Sequence, residues 1–324
     1  MPSRVPTRVP PVAPPSPRGG SGYALTVAGV LLWGTLGISG AQAIAHTGMS
    51  AVMVSALRLV IAGVLLLPVV VASGELVRTP RTRAVVRRVV VTGVGTAAFA
   101  CLYLEAIPYL GVATATVVSL GTCPVAVVTA TALRRAELPS AGTALGTAAA
   151  VLGLVLVCSA PSKEAGRTGS LALGIALAAL SGLAFAAVTV LNRSPAPGLR
   201  PAPLLALSSI VGAVVSALAA VALGDAAIRG DASGAGWLLF MALVPTVLGY
   251  LLFYHGLSRG LPATTASVLS LLEVVSATAL AVVFLGERLP PLGVAGLLLV
   301  LASAQAVRPS RSRLDAGSPR HGRR

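Results

Sequence analysis

The sequence predicts an all-α polytopic membrane protein in which ten transmembrane helices form two inverted five-helix repeats. Three observations carry that fold class. The chain is 56% hydrophobic and only 10% charged, with a mean hydropathy of +0.91, and 324 residues of this composition cannot cover a soluble surface. A hydrocarbon core about 30 Å thick takes roughly 20 mostly apolar residues per crossing, and ten such runs are present. The basic residues between the runs fall largely on one side of the membrane.

In chain order the runs are Tyr23 to Ile44, Ala51 to Ala72, Val89 to Ile107, Val112 to Leu133 and Ala141 to Ala160, then Ser170 to Leu191, Leu204 to Gly224, Trp237 to Leu257, Pro262 to Leu285 and Pro291 to Val307. Short polar or Pro/Gly-containing turns separate them. This divides the chain into a tail (1–22), a first repeat (23–160), a second repeat (170–307) and a basic tail (308–324). Both tails read as disordered and cytoplasmic; the first 20 residues hold seven prolines and no apolar run. Many small residues and few aromatics suit helices that approach closely in lipid. The run from Tyr23 with Ala41-Gln42-Ala43 imitates a cleavable signal, but about 20 residues is long for the apolar part of one.

The net charge of +15 would suggest nucleic acid in a soluble protein. Here the positive-inside rule accounts for it, and no nucleic-acid partner is expected. With the N-terminus inside, 19 of the 24 basic residues lie in cytoplasmic segments, including Arg78, Arg81, Arg83, Arg87 and Arg88 in one loop. Four lie outside (Lys163, Arg167, Arg229, Arg288), and Arg58 lies within a helix. The expected location is therefore the inner (plasma) membrane with both termini cytoplasmic. The partners expected are the lipid bilayer and a small-molecule cargo, with a homodimer left open.

Cys101, Cys123 and Cys158 fall inside apolar runs without the paired spacing of a metal site or a disulfide framework. HExxH, GxxxxGK[ST] and GxGxxG are absent. No metal, nucleotide or other cofactor is expected, and no enzyme activity. The one catalytic pattern is Gly37-Ile38-Ser39-Gly40, which matches the GxSG of intramembrane serine proteases of the rhomboid type, with His255 as the base it would need. That activity would require a different number and order of helices. A receptor or structural membrane protein without cargo is the remaining alternative.

A shift of 150 residues lays helix three on eight, four on nine and five on ten, with Ala113-Thr114 on Ala263-Thr264, Glu137 on Glu287 and Gly146 on Gly296. An odd number of helices per repeat inverts the second repeat relative to the first, as in many secondary transporters. The loop after helix two is rich in arginine, while its counterpart carries Asp225, Arg229 and Asp231.

Several segments carry a family likeness: LLWGTLGISG from Leu31, SALRLVIAGVLLLP from Ser55, YLLFYHGLSRG from Tyr250, and SLLEVVSATALAVVFLGERLP from Ser270. In their order over ten helices the chain resembles the EamA-type branch of the drug/metabolite transporter superfamily, across residues 23 to 307. The resemblance implies a secondary transporter, usually an exporter of small metabolites or drugs driven by a gradient. Many of that family carry proline after the helix-nine glutamate. Here Val274 follows Glu273, which removes the residue expected to break the helix, while Pro124 remains in the partner helix.

Charged side chains at the bilayer centre cost at least ~3 kcal/mol and mark function by default. Glu273 lies mid-way along helix nine and could bind a cationic group, couple to an ion or take up a proton. Arg58 lies about two turns into helix two and needs a carboxylate, helix carbonyls or an anionic cargo. Its 150-residue counterpart is Ser208. The expectation is that both face one cavity, Arg58 being an ion-pair partner of Glu273 or an anion clamp. Glu105 and His255 are equivalent under the shift and are candidates for a gate or relay, with Tyr250 and Tyr254 nearby; Tyr103 is also close. Their places near helix ends equally suit anchoring at the membrane interface, which is the reading preferred for each. Trp33 is a candidate cavity wall, and Trp237 an interface anchor.

Overall fold

The computed structural model describes residues 19–110, 112–135, 141–158, 170–193, 196–285 and 291–306, and its regular elements there are all helices. The first half comprises α1 (Gly19–Trp33), α2 (Thr35–Thr47), α3 (Ala51–Ala72), α4 (Glu75–Arg78), α5 (Arg83–Leu110), α6 (Val112–Arg135) and α7 (Ala141–Cys158). The second comprises α8 (Leu171–Arg193), α9 (Pro201–Ala222), α10 (Ala232–Met241), a π-helix (Ala242–Gly249), α11 (Tyr250–Ser258), α12 (Ala263–Leu269), α13 (Leu272–Leu285) and α14 (Pro291–Ala306). Residues 1–18 and 307–324, Glu137 and Glu287 lie outside the described residues, as does the side chain of Cys158.

Seven helical stretches among the described residues are long and apolar enough to cross a membrane: 21–47, 51–72, 83–103, 171–193, 201–222, 232–258 and 263–280. Shorter apolar helices occupy 118–133, 144–156 and 291–303. The outer faces are apolar. Val64, Val69, Leu218 and Val221 are each more than 60% exposed, which water would penalise and lipid does not. Inside, hydroxyls return to their own helix: Thr26 donates to the Gly22 carbonyl at 3.0 Å and Thr47 to that of Ala43 at 2.6 Å. A buried hydroxyl without water is thereby satisfied.

Helix ends follow local chemistry. Gly48 terminates α2 in the left-handed conformation (φ 63°), and the Ser50 hydroxyl accepts the Met53 amide at 3.2 Å to cap α3. The Asp231 carboxylate does the same for α10 through the Gly234 amide at 2.7 Å. Helix α5 begins at Arg83, six residues before the expected Val89, because the basic stretch winds into the helix instead of forming a loop.

Glycines set the crossings. An added Cβ on Gly29 would stand 2.5 Å from the Gly249 carbonyl, and one on Gly93 2.6 Å from that of Ser208, so these backbones touch as closely as lipid-embedded helices can. Helices α3 and α9 run antiparallel. Ser50 meets Asp225 at one end, Gly63 meets Ile210 in the middle, and Glu75 just beyond α3 meets Arg200 at the other end. The α1–α2 segment lies antiparallel to the α10–π–α11 segment, with Gly22 on Gly256, Gly29 on Gly249 and Gly40 on Met241.

Candidate binding site at three helix interruptions

Three of these segments lose their α-helical continuity at one level of the bundle. The first breaks at Gly34 between α1 and α2, where an added Cβ would stand 1.9 Å from the Ser276 hydroxyl and 2.7 Å from the Ala277 amide of α13. Only glycine admits that contact. The second widens into the π-helix around Pro245, which has no amide to give, and the Thr246 hydroxyl bonds the carbonyl of Met241 five residues back at 2.8 Å.

The third interruption lies at Ser270–Leu271, between α12 and α13. With valine at 274 the proline that would mark a break is missing, and the chain breaks here all the same. The amides of Leu271, Glu273 and Val274 bond three residues back at 3.1–3.2 Å. Serine hydroxyls take up the neighbouring carbonyls: Ser267 to Thr264 at 2.9 Å and Ser270 to Ser267 at 2.7 Å. A tightened turn stabilised by serine back-bonding does the work assigned to proline. It places Glu273 in the first turn of α13.

A narrow cavity, with room for about one water molecule, opens at this level. Its polar lining comprises Arg58 from α3, Glu273 from α13, Trp33 at the end of α1 and Tyr250 at the start of α11. Leu36, Phe99, Leu120, Phe185 and Pro245 complete the wall. Arg58 is 2% exposed, and its Nε and Nη1 have no hydrogen-bond partner; nor has Nε1 of the buried Trp33. Arg58 and Glu273 are within electrostatic reach of one another and of Tyr250, yet no ion pair joins the two among the described residues. The site therefore holds an unpaired cation, an unpaired acid and a free indole donor in a low-dielectric interior. Such groups are costly to leave unmet.

The aromatic wall is tightly built. Trp33 lies 4.8 Å from both the Tyr250 and Phe253 rings and 5.8 Å from Phe185, and Phe185 lies 5.1 Å from Phe99. The indole fits because residue 249 is glycine, where an added Cβ would stand 2.7 Å from Trp33 Cδ1.

Comparison with known proteins agrees with a membrane bundle built in two parts. A model of the EamA-like transporter family matches twice, over residues 20–159 and 172–307. The chain belongs to the EamA-like transporter family. It is thus a multi-pass membrane transporter of the drug/metabolite transporter superfamily. This EamA-like chain is 29% identical over 294 residues to the "Uncharacterized transporter YwfM" of Bacillus subtilis (strain 168), covering 88% of this chain and 95% of that protein. A solved structure described as "Crystal structure of protein" superposes with a TM-score of 0.73 at 21% identity, covering 91% of this chain and 99% of that one, which shows the shared fold.

Other residues singled out in this EamA-like sequence sit elsewhere. Tyr254 is buried one turn beyond Tyr250, in an adjoining cavity. Glu105 is half-buried on α5 and does not line the central cavity, and Trp237 packs edge-on to Phe240, 6.2 Å away. His255 Nδ1 lies 2.7 Å from the Leu251 carbonyl of its own helix. Ser39 donates to the Thr35 and Leu36 carbonyls at 2.8 and 3.1 Å. Ser39 lies on α2 beside α10, while His255 lies on α11 at the level of Tyr23. The 16-residue offset along one antiparallel pair is about 24 Å, so they do not form a serine–histidine pair. Phe99 and Phe185 went unrecognised in the sequence; the available signal was that a chain with only twelve aromatic residues keeps both inside apolar helices.

Proposed function

We propose that the chain is a secondary transporter that moves a small metabolite or drug by alternating access, most simply as an exporter, with the central cavity as its cargo site. The observation that carries this reading is the pair of unpaired charges, Arg58 and Glu273, facing one cavity where three helices are interrupted. Discontinuous helices at the bilayer midplane are where secondary transporters present backbone and charge to a cargo. Glu273 serves as the coupling or cation-binding group and Arg58 as an anion clamp, its planar guanidinium keeping unpartnered donors at Nε and Nη1.

We infer further that the bundle has ten crossings, the three shorter apolar helices included, as two inverted repeats in the inner membrane. The antiparallel α3 and α9 hold equivalent places in the two family matches, which supports inversion. The charge count supports cytoplasmic termini and a cytoplasmic 75–88 loop. Reporter fusions after Gly74 and after Asp231 are expected to give opposite signals; the same signal from both removes the inversion.

The site is tested by flux into proteoliposomes under an imposed gradient, across amino acids, nucleosides, polyamines and cationic drugs. Glu273→Gln is expected to cut flux at least about tenfold while insertion is unchanged, since an amide keeps the hydrogen bonds but not the charge. Arg58→Lys keeps the charge and loses the planar fork, so a comparable loss would indicate recognition of a planar anion. Normal flux in both variants would overturn the site.

A further inference from the structure

Two more cavities continue from the central one. A narrow middle cavity shares Tyr250 with it, and a narrow end cavity shares Tyr254 with the middle one. The end cavity opens beside Arg88, Asn192 and Arg200. Single faces of α5 and α11 run the length of the series, and one face of α9 runs along the end and middle cavities. On α5 the stripe is Arg88, Thr96 and Phe99; on α9 it is Pro201, Leu205 and Ser208; on α11 it is Ser258, Tyr254 and Tyr250. Spacings of three, four and eight residues keep each set on one side of its helix. Eight residues of α11 extend about 12 Å, roughly two turns from the centre toward the loops.

The lining carries polar groups among apolar ones: hydroxyls of Thr96, Ser208, Ser209 and Thr246 in the middle, of which Thr96, Ser208 and Thr246 bond carbonyls of their own helical segments, and two arginines and an asparagine at the end. Tyr250 and Tyr254 are 7% and 3% exposed, and their rings, 5.8 Å apart, stand where each cavity meets the next. Above the mouth two loops from different halves are tied together. Arg200 Nη1 binds Glu75 Oε1 at 2.7 Å, and Gly198, at φ 78°, lies so close to Pro80 that a Cβ would stand 2.7 Å from its ring.

We propose that the three cavities are one cargo route, closed in this conformation, from the central site to the face bearing Arg88 and Arg200. Tyr250 is its inner door, Tyr254 its outer door and the Glu75–Arg200 pair the latch over its mouth. Arg88 and Arg200, the latter paired with Glu75, stand at the mouth, and Arg58 shares the far end with Glu273; the arginines outnumber the carboxylates, which suits a cargo carrying negative charge. This rests on the transporter reading, but its test needs no cargo, so the two can fail separately.

The test is cysteine accessibility. Ser208→Cys places a thiol in the middle cavity, between the two doors. Membrane vesicles of both orientations are treated with methanethiosulfonate ethylsulfonate, a membrane-impermeant anion, with the parent chain and its three native cysteines as the blank. Adding Tyr254→Ala is expected to speed labelling by about tenfold or more, and only from the Arg88/Arg200 face, because the closed state loses its outer door. Glu75→Gln removes an exposed ion pair of small energy, so it is expected to speed labelling about two- to fivefold without endangering folding. A cationic thiol reagent of similar size is expected to react more slowly than the anion. Labelling from the opposite face, or no acceleration in either the Tyr254→Ala or the Glu75→Gln background, would overturn the route.

Discussion

Helix α6 and the α12–α13 pair occupy corresponding places in the two family matches, yet the one that contains proline is continuous and the one without it is broken. Helix α6 runs unbroken from Val112 to Arg135 with Pro124 inside. Its partner stops at Leu269 and restarts at Leu272, with valine at the position equivalent to Pro124. A proline removes one amide and crowds one carbonyl, and neighbouring helices and hydroxyls in a membrane can absorb that. Here the Thr122 hydroxyl donates to the Val118 carbonyl just before Pro124, at an unusually close approach. In α12–α13, two serines at a spacing of three hold their own carbonyls at the i−3 position, and the backbone follows them into the tighter turn. Beyond the break Ser276 donates to the Glu273 carbonyl at 3.0 Å, and Gly34 of the facing helix leaves room for that side chain. Two interruptions on neighbouring helices are thus fitted to each other, whereas Pro124 faces no such counterpart break.

The same contrast separates the two sides of the central cavity. Helices α3, α5, α6 and α8 pass it without interruption, and α1–α2, α10–π–α11 and α12–α13 each change geometry beside it. The continuous side contributes Arg58, Phe99, Leu120 and Phe185, while the interrupted side contributes Trp33, Leu36, Pro245, Tyr250 and Glu273.

If the serine-built break positions Glu273, its removal has the largest effect. The double variant Ser267→Ala, Ser270→Ala deletes two hydroxyl bonds worth about 1 kcal/mol each, but it also relieves the competition that bends the helix. Thermal stability is therefore expected to change by less than about 2 kcal/mol, while gradient-driven flux in proteoliposomes falls severalfold as the carboxylate turns away from the cavity. Unchanged flux would show that the break is imposed by packing against α2 alone. Restoring flux with Ser270→Thr, which keeps the hydroxyl, would tie the effect to the carbonyl bond.

Much of the scaffold was legible from the sequence because apolar run length answers directly to membrane thickness, and the described helices fall on all ten runs. Arg58, Glu273, Trp33 and Tyr250 were legible because each is scarce within apolar helices, where a polar or bulky group needs a reason. The break at Ser270 was not, since proline was taken as its marker and serine spacing carries little signal in a chain rich in small residues. The equivalence of Glu105 and His255 under the 150-residue shift did not put either on the central cavity, whose lining includes neither: matching places along two apolar helices do not say which face each side chain occupies.

The smallest expected effect comes from the proline itself. Pro124 cannot donate to the Leu120 carbonyl one turn back, and Leu120 lines the central cavity. Replacing it by alanine supplies that amide to a helix already straight enough to accept it. The expected outcome of Pro124→Ala is a stability gain of no more than about 1 kcal/mol, well short of the ~3 kcal/mol that an unsupported helix would recover, with flux within about twofold of the parent. The two measurements separate the roles that a proline at a binding site can have. If stability rises and flux is unchanged, Pro124 is a tolerated defect and the functional asymmetry between the repeats lies in α12–α13. If flux instead falls several-fold at unchanged stability, the Leu120 carbonyl, left free by proline, accepts a hydrogen bond from the cargo. The continuous helix would then contribute to the site through one missing amide, and the contrast between the two helices would be one of degree.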